Sequence, residues 1–152
     1  MSRAFVKEQD SVDELPDRLI SEHPNLVTKE GLAQIEGEVQ KFDAEHAAAQ
    51  AEGDREAMAA TARDLRYWSS RLASAELVPL PADNDQVQFG STVTIARDDG
   101  RRQTYRIVGE DEADPAKGSI SYVSPLARQL AGKSVGDIVK VAGAEAEIVE
   151  IN

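Results

Sequence analysis

The chain has 152 residues, a formal net charge of −11 at pH 7 and no cysteine. This length allows one or two small domains. The acidic balance disfavours direct binding to nucleic acid or anionic membranes, and the lack of cysteine excludes disulfides and thiolate metal sites. No run approaches the roughly 18 apolar residues of a membrane-spanning helix, and the first residues lack the apolar core of a signal peptide. We therefore expect a cytoplasmic protein without membrane contact. If it acts on nucleic acid, we expect it to do so through a protein partner.

Residues 1–25 mix acids and bases with prolines and show no sustained hydrophobic period. Such a composition is typical of a segment with little regular structure of its own. We predict a disordered tail over 1–25, in which Leu15, Leu19 and Ile20 could still dock on the folded part of the chain.

Residues 28–77 predict two antiparallel helices joined by a tight turn. Thr28 is a suitable N-cap for the first helix, Gly53 can end it, and Asp54 can cap the second. Each arm of about 22–25 residues would span roughly 35 Å at about 1.5 Å per residue. Apolar or small residues recur at heptad spacing in both halves, at Leu32, Ile35, Val39, Phe42, His46 and Ala49 and then at Met58, Thr61, Leu65, Trp68, Leu72 and Ala75. We interpret His46 as a seam residue with a polar tip.

Charge is unevenly distributed along this hairpin. The second arm carries Arg63, Arg66 and Arg71, whereas the turn region has Arg55 as its base among the acids Asp43, Glu45, Glu52, Asp54 and Glu56. Acids at the start of the second helix complement its dipole, so the pattern fits an ordinary solvated helix surface as well as a functional tip.

The second half predicts a separate domain of α+β type, an antiparallel sheet with one short helix. We place the hairpin at 26–78, a proline-containing linker at 79–86 and this domain at 87–152. Strand signals lie at 87–89, 93–95, 103–108, 119–123, 137–141 and 144–151, the last with room for a bulge. Residues 98–100 (DDG) and Gly143 predict hairpin turns. Ser124 and Pro125 predict the cap and first turn of the short helix.

Three stretches of this half, in order, resemble the C-terminal domain of the bacterial GreA/GreB transcript-cleavage factors. They are residues 89–95 (FGSTVTI), 105–114 (YRIVGEDEAD) and 124–137, which contains SPLAR and GKSVGD. Residues 26–32 (LVTKEGL) resemble the start of the family's N-terminal helix. The resemblance therefore covers all but about the first 25 residues.

The resemblance implies an FKBP-like C-terminal domain that clamps RNA polymerase and a hairpin that enters its secondary channel. Tip acids of the family help the polymerase hold a second catalytic Mg²⁺, which prefers carboxylate oxygens and supports two-metal hydrolysis of a backtracked transcript. The chain would then be no enzyme by itself, would need no cofactor beyond that shared Mg²⁺, and would take no small-molecule substrate. The candidate tip acids are Asp54 and Glu56. The candidate docking residues, with Leu126 as apolar anchor, are Ser124, Pro125, Leu126, Ala127 and Arg128.

The chain departs from the family pattern at the tip, which reads approximately Gly-Asp-x-x-Glu-Asn. Ala57 stands at the second acid, Glu56 comes one residue early and thus about 100° around the helix, and Met58 replaces the Asn. The arms also look roughly eight to ten residues shorter, or about 12–15 Å, as in Rnk-type regulators. Asp54 is therefore either a surviving tip acid or only a turn residue, and the chain either stimulates cleavage or occupies the channel without cleavage.

A third alternative belongs to another class, an FKBP-like prolyl isomerase or another protein-interaction module. We disfavour the isomerase, because its site needs an apolar aromatic pocket and the domain offers only Phe89, Tyr105 and Tyr122. The acids of residues 111–114 are interpreted as a loop, because nothing in the sequence holds their carboxylates together as metal ligands.

Overall fold

The computed structural model describes residues 14–152, which form two compact units. One unit contains residues 33–74 together with the described chain before His23, and the other contains residues 23–32 and 75–152. The start of the predicted hairpin therefore belongs to the unit that contains the C-terminal domain. Within the predicted tail, residues 14–25 adopt neither helix nor strand, and residues 1–13 lie outside the described part.

Two long helices follow one another, α1 at Lys29–Glu52 and α2 at Arg55–Ser74. The Thr28 hydroxyl accepts a hydrogen bond of 3.0 Å from the Gly31 N–H, which confirms the predicted N-cap of α1. The chain reverses at Gly53, whose φ is +68°. Asp54 then caps α2, because its Oδ1 accepts from the Ala57 N–H at 3.1 Å. Local sequence signals therefore predicted this turn correctly.

The predicted seam residues are buried or half-buried, and Ile35, Ala49 and Trp68 are the buried ones. His46 lies in this seam, with its Nδ1 3.0 Å from the Thr61 hydroxyl oxygen of α2. That hydroxyl donates to the Ala57 carbonyl at 2.6 Å. The Thr61 hydroxyl thus links the His46 ring to the backbone of α2.

The second helix ends at Ser74, so the prediction that it continues to Leu77 was wrong. Strand β1 (Leu26–Val27) pairs in parallel with β2 (Glu76–Leu77). The Glu76 N–H donates to the Asn25 carbonyl at 2.8 Å. A strand pairing with a segment about fifty residues away overrides local helical spacing, as tertiary context commonly does.

The second unit is built on a five-stranded sheet of order β5-β4-β3-β7-β6. One short helix, α3 (Pro125–Leu130), accompanies it. This confirms the α+β class. The strands are β3 (Thr92–Arg97), β4 (Arg102–Val108), β5 (Ser119–Ser121), β6 (Ile138–Val141) and β7 (Ala144–Ile151).

The sheet differs from the prediction in two places. Strand β5 is parallel to β4, so the sheet is mixed, because the connection returns the chain through a 3₁₀ turn at Pro115–Lys117. Residues 87–89 form no strand. Val87 instead exchanges backbone hydrogen bonds with the turn after α3, donating to Lys133 at 2.8 Å and accepting from Gly132 at 2.9 Å.

The core of this unit lies between one face of the sheet and α3. The predicted bulge is confirmed, because the pairing of β3 with β7 shifts between Thr94 and Ile95 and leaves Val149 as the extra residue. The core consists of Val87, Val93, Ile95, Ile107, Ile120, Ala127, Leu130, Val139, Val141, Ala146, Ile148 and Ile151. Neither long helix, nor any other helix within residues 14–152, carries an apolar stretch that could cross a bilayer.

The hairpin between β6 and β7 contains a backbone feature that should limit stability. Val141 pairs with Ala144, and the two residues between them have positive φ, +53° at Ala142 and +80° at Gly143. Positive φ at both positions defines a type I′ turn, for which Asn-Gly is the preferred pair. Alanine in the left-handed region costs about 1 kcal/mol or more.

Ala142→Asn is therefore expected to raise the free energy of unfolding by about 0.5–1 kcal/mol, because asparagine tolerates the left-handed region. Thermal unfolding measures the change as a higher Tm. Ala144→Asn, the same replacement at an exposed strand position, should not stabilise the chain. Equal effects of the two variants would contradict the turn argument.

Candidate functional site

The segment predicted to dock on a partner forms the start of α3. Ser124 is its N-cap, with extended backbone and a side-chain oxygen that accepts from the Ala127 N–H at 3.3 Å. Pro125 occupies the first turn and is exposed, whereas Ala127 is only 1% exposed. Ala127 thus fixes the helix to the core, while Pro125 and Arg128 face solvent.

Leu126 is half-buried against the core and lines an open groove of about 470 Å³. The groove has a mainly apolar floor and a polar rim that includes Lys140 and Gln129. Its full lining is Ile120, Ser124, Pro125, Leu126, Gln129, Lys140, Val141 and Ala142. None of these residues is aromatic. Phe89 and Tyr122 instead pack edge to face with ring centroids 5.7 Å apart.

The sequence predicted three of the groove residues, Ser124, Pro125 and Leu126, and missed the others. Lys140, Val141 and Ala142 come from the end of β6 and its turn, and they meet Leu126 only because α3 packs beside β6. The strand alternation indicates that Val139 and Val141 face the core, but no local pattern links them to the segment at Ser124. The Gly-Lys-x-x-Gly-Asp turn of residues 132–137 connects the end of α3 to the start of β6.

That turn is held by its own hydrogen bonds. The Asp137 carboxylate accepts from the Ser134 N–H at 2.8 Å. The Gly136 N–H donates to the Ile148 carbonyl at 2.8 Å, and the Ile148 N–H returns a bond to Asp137 at 2.9 Å. The turn therefore joins the end of α3 rigidly to the sheet, and the groove is preformed.

The second candidate site is the hairpin tip, where Asp54 and Glu56 are both exposed. The Asp54 carboxylate already caps α2 by accepting from the Ala57 N–H through Oδ1. Ala57, at the position of the family's second acid, is half-buried. Within residues 14–152, no group of three or more His, Asp or Glu side chains is arranged to hold a metal ion.

A third feature lies at the start of α1, where the Glu112 carboxylate meets the N-cap. Glu112 accepts from the backbone N–H of Thr28 at 3.0 Å and from its hydroxyl. It also accepts from the Gly109 N–H at 3.2 Å. The acidic loop of residues 111–114 thus contains a carboxylate that binds the N-terminal end of the long helix, where negative charge is favoured.

Two glycines make room for this contact. A Cβ at Gly31 would lie 2.1 Å from the Glu112 carboxylate oxygen, and a Cβ at Gly109 would lie 2.3 Å from the Leu26 carbonyl oxygen. Real Cβ atoms do not approach other atoms so closely. Gly109 is therefore required by the neighbouring backbone, and Gly31 leaves room for the Glu112 carboxylate where it binds Thr28; the sequence alone did not reveal either close approach.

Glu30, in the first turn of α1, adds a smaller electrostatic contact. Its pKa lies below the ordinary 4.5 because the carboxylate accepts a backbone hydrogen bond and, next, because the Arg106 guanidinium attracts it. The two side chains are 3.4 Å apart. A lowered carboxyl pKa gives a stabilisation that is present above the ordinary value and is lost as the pH falls through the folded-state pKa.

Comparison with known proteins finds one family and several relatives. Residues 82–152 match the family described as "Transcription elongation factor, GreA/GreB, C-term". Transcription elongation factor GreA of Desulfovibrio desulfuricans is 38% identical over 126 residues, which cover 82% of this chain and 74% of that protein. GreB of Neisseria meningitidis is 49% identical over 79 residues, 51% of this chain and 48% of that protein.

Among solved structures, GreA factor homolog 1 of Thermus thermophilus aligns with a TM-score of 0.42 and 18% sequence identity. The alignment covers 86% of this chain and 99% of that protein.

Gly31→Ala is expected to lower the free energy of unfolding by about 1–2 kcal/mol, because the added methyl group displaces the Glu112 carboxylate from its hydrogen bonds. In a Glu112→Ala background the same change should raise it by up to about 1 kcal/mol, since alanine is the better helix former. Urea unfolding followed by circular dichroism measures both effects as a double-mutant cycle.

Gly37→Ala in the same helix is the matched control, because nothing lies within 4 Å of a Cβ there. It should stabilise the chain by about 0.5–1 kcal/mol in both backgrounds. If Gly31→Ala stabilised the chain as Gly37→Ala does while Glu112 is present, the proposed contact would be wrong.

Proposed function

Because the chain belongs to the GreA/GreB family of transcription elongation factors, we propose that it binds RNA polymerase and acts through the secondary channel on paused or backtracked complexes. The chain is not an enzyme by itself, since factors of this family at most stimulate RNA cleavage by the polymerase. The observation that carries the proposal is the preformed groove at Leu126, which one of the segments that resemble the family helps to form.

The groove suits a protein partner. Leu126 offers an apolar anchor in a concave surface, and Arg128 and Lys140 provide charge outside the apolar floor. Interfaces commonly combine such an anchor with a polar rim. Capping by Ser124 and burial of Ala127 hold the anchor in place, so little conformational entropy is lost on binding.

The charge of the chain fits the same proposal. With a net charge of −11, the protein meets nucleic acid through the polymerase complex, because an acidic surface repels phosphates. We place its action in the cytoplasm, together with the polymerase, and the metal that it would use is the Mg²⁺ that a functional tip would share with the polymerase active site.

A second candidate function is a regulator that occupies the channel without stimulating cleavage. The observation that favours it is the engagement of Asp54 as a helix cap, with Ala57 at the next acidic position of the family pattern. The helices contain 24 and 20 residues, or about 36 and 30 Å at about 1.5 Å per residue, so the acids also have limited reach.

Leu126→Asp is expected to weaken binding to RNA polymerase at least tenfold, because a buried carboxylate replaces the apolar anchor. Fluorescence anisotropy of labelled protein titrated with core polymerase measures the affinity, and circular dichroism checks folding. Ile138→Asp is the matched control, since Ile138 is 55% exposed on the same unit and does not line the groove. Equal losses from both substitutions would exclude the groove as the docking surface.

Asp54→Asn separates the two roles of the tip, because asparagine keeps the helix cap and removes the charge. If the tip supports cleavage, this variant should leave stability and polymerase binding unchanged and reduce cleavage of backtracked RNA at least tenfold, whereas Glu45→Gln should not. The assay scores shortened 3′ ends in stalled complexes. Competition with a cleavage factor, without cleavage by this protein, would support the channel-occupying regulator. Neither cleavage nor competition would overturn the polymerase proposal.

A further inference from the structure

Both oxygens of the Glu112 carboxylate are engaged at the start of α1. One oxygen accepts from the Thr28 and Gly109 N–H groups, and the other accepts from the Thr28 hydroxyl. Thr28 is 3% exposed, so water cannot readily replace the carboxylate as its partner. A buried N–H group without an acceptor is costly. The cap of α1 therefore depends on the side chain of Glu112.

Helix α1 belongs to both compact units. It runs without interruption over Lys29–Glu52. Its residues 29–32 belong to the unit that contains the five-stranded sheet, and the helix from Ala33 onward belongs to the other unit. The first turn of α1 is thus a covalent joint between the unit that contains the groove and the hairpin. A helix without a cap frays in its first turn, so the order of this joint also depends on Glu112.

The chain that leads into α1 also contacts the docking segment. The Tyr122 hydroxyl donates to the Pro24 carbonyl at 2.5 Å, and Pro24 lies just before β1. Tyr122 stands two residues before Ser124, the cap of α3, and its N–H donates to the Val108 carbonyl at 2.9 Å. The chain that begins the hairpin and the segment that lines the groove are therefore held by one hydrogen-bonded framework within a single unit.

We propose that Glu112 is a positioning residue, which keeps the first turn of α1 ordered so that the hairpin tip reaches its place when the groove binds RNA polymerase. This role rests on the proposed function. Leu126 supplies affinity for the partner, whereas Glu112 acts through α1. Loss of the Glu112 carboxylate should therefore separate two properties, the affinity of the groove and the placement of the tip.

Two substitutions of Glu112 distinguish its capping geometry from its presence alone. Glu112→Ala removes both oxygens, whereas Glu112→Gln preserves the shape of the contact. The glutamine carbonyl oxygen can accept from the two N–H groups, and its NH₂ group can donate to the Thr28 hydroxyl oxygen. Ile148→Val, a core substitution on β7 of the same unit, is the control for a general loss of stability.

Hydrogen exchange followed by NMR tests the cap in the free protein. The Gly31 and Leu32 N–H groups donate to the Thr28 hydroxyl and carbonyl. In Glu112→Ala both should exchange about tenfold faster or more, because the first turn opens more often. The Ala44 N–H, in the middle of α1, should exchange as before, and so should Gly31 in Glu112→Gln. Unchanged exchange at Gly31 in the alanine variant would overturn the proposal.

Fluorescence quenching tests the placement of the tip. The chain has no cysteine, so Gln50→Cys places a single fluorophore at an exposed position of α1 near the turn. Core polymerase at saturation should shield this label from iodide. Glu112→Ala should keep the affinity, measured by anisotropy, within about threefold of the parent, because the anchor in the groove is intact. It should nevertheless lose about half of the shielding or more, whereas Glu112→Gln and Ile148→Val should keep both properties.

The outcomes separate this role from the proposed function. Equal shielding in Glu112→Ala and its parent, both bound to polymerase, would overturn the positioning role alone. The same loss of shielding in Ile148→Val would also overturn it, because general instability would then suffice. Loss of shielding in Glu112→Gln would overturn the capping geometry as its cause. No binding by the parent would overturn the proposed function, and the positioning role with it.

Discussion

The contact between the Glu112 carboxylate and the first turn of α1 is the interaction on which the start of the long hairpin depends. It joins the loop after β4 to residues that lie 84 positions earlier in the chain, through the Thr28 N–H and hydroxyl. The Thr28 hydroxyl in turn accepts from Gly31, so a single carboxylate supports the cap that begins the long helix. Hydrogen bonds to an ionised group are worth more than neutral ones, about 1.5–3 kcal/mol. A Cβ at Gly31 would displace the Glu112 carboxylate from these bonds, and a Cβ at Gly109 would meet the Leu26 backbone carbonyl.

Capping also shapes the opposite end of the hairpin, where structure and chemistry compete for the same side chain. Asp54 begins α2 by accepting from the Ala57 N–H, and under the proposed function the same carboxylate is the first candidate tip acid. A carboxylate has two oxygens and can serve both purposes, but each use restricts its orientation. The short helices and the half-buried Ala57 favour the capping role of Asp54. Asp54→Asn is therefore informative, because it removes the charge and keeps the cap.

At the candidate docking surface, structural and contact roles fall on different residues. Ser124 and Pro125 form the start of the helix, Ala127 and Leu130 anchor that helix in the core, and Leu126 stays half-buried along the groove. A partner that binds Leu126 therefore meets a preformed surface. Residues 14–18, which the GreA/GreB resemblance does not cover, contact α2 through the ion pairs Asp17–Arg66 and Arg18–Asp64 and through the Arg18–Tyr67 stack.

The sequence by itself determined the elements whose signals are local. Caps at Thr28, Asp54 and Ser124, the reversal at Gly53 and the heptad seam all follow from side-chain hydrogen bonds and spacing within a few residues, and the motifs of the second half were sufficient to identify the family. Only the tertiary structure decided the features that join distant segments. The pairing of β1 with β2 ended the second helix early, the parallel β5 made the sheet mixed, and packing brought Val141 to Leu126 and Glu112 to Gly31. These contacts depend on where strands and helices meet in space, and no period or cap within a segment encodes that meeting.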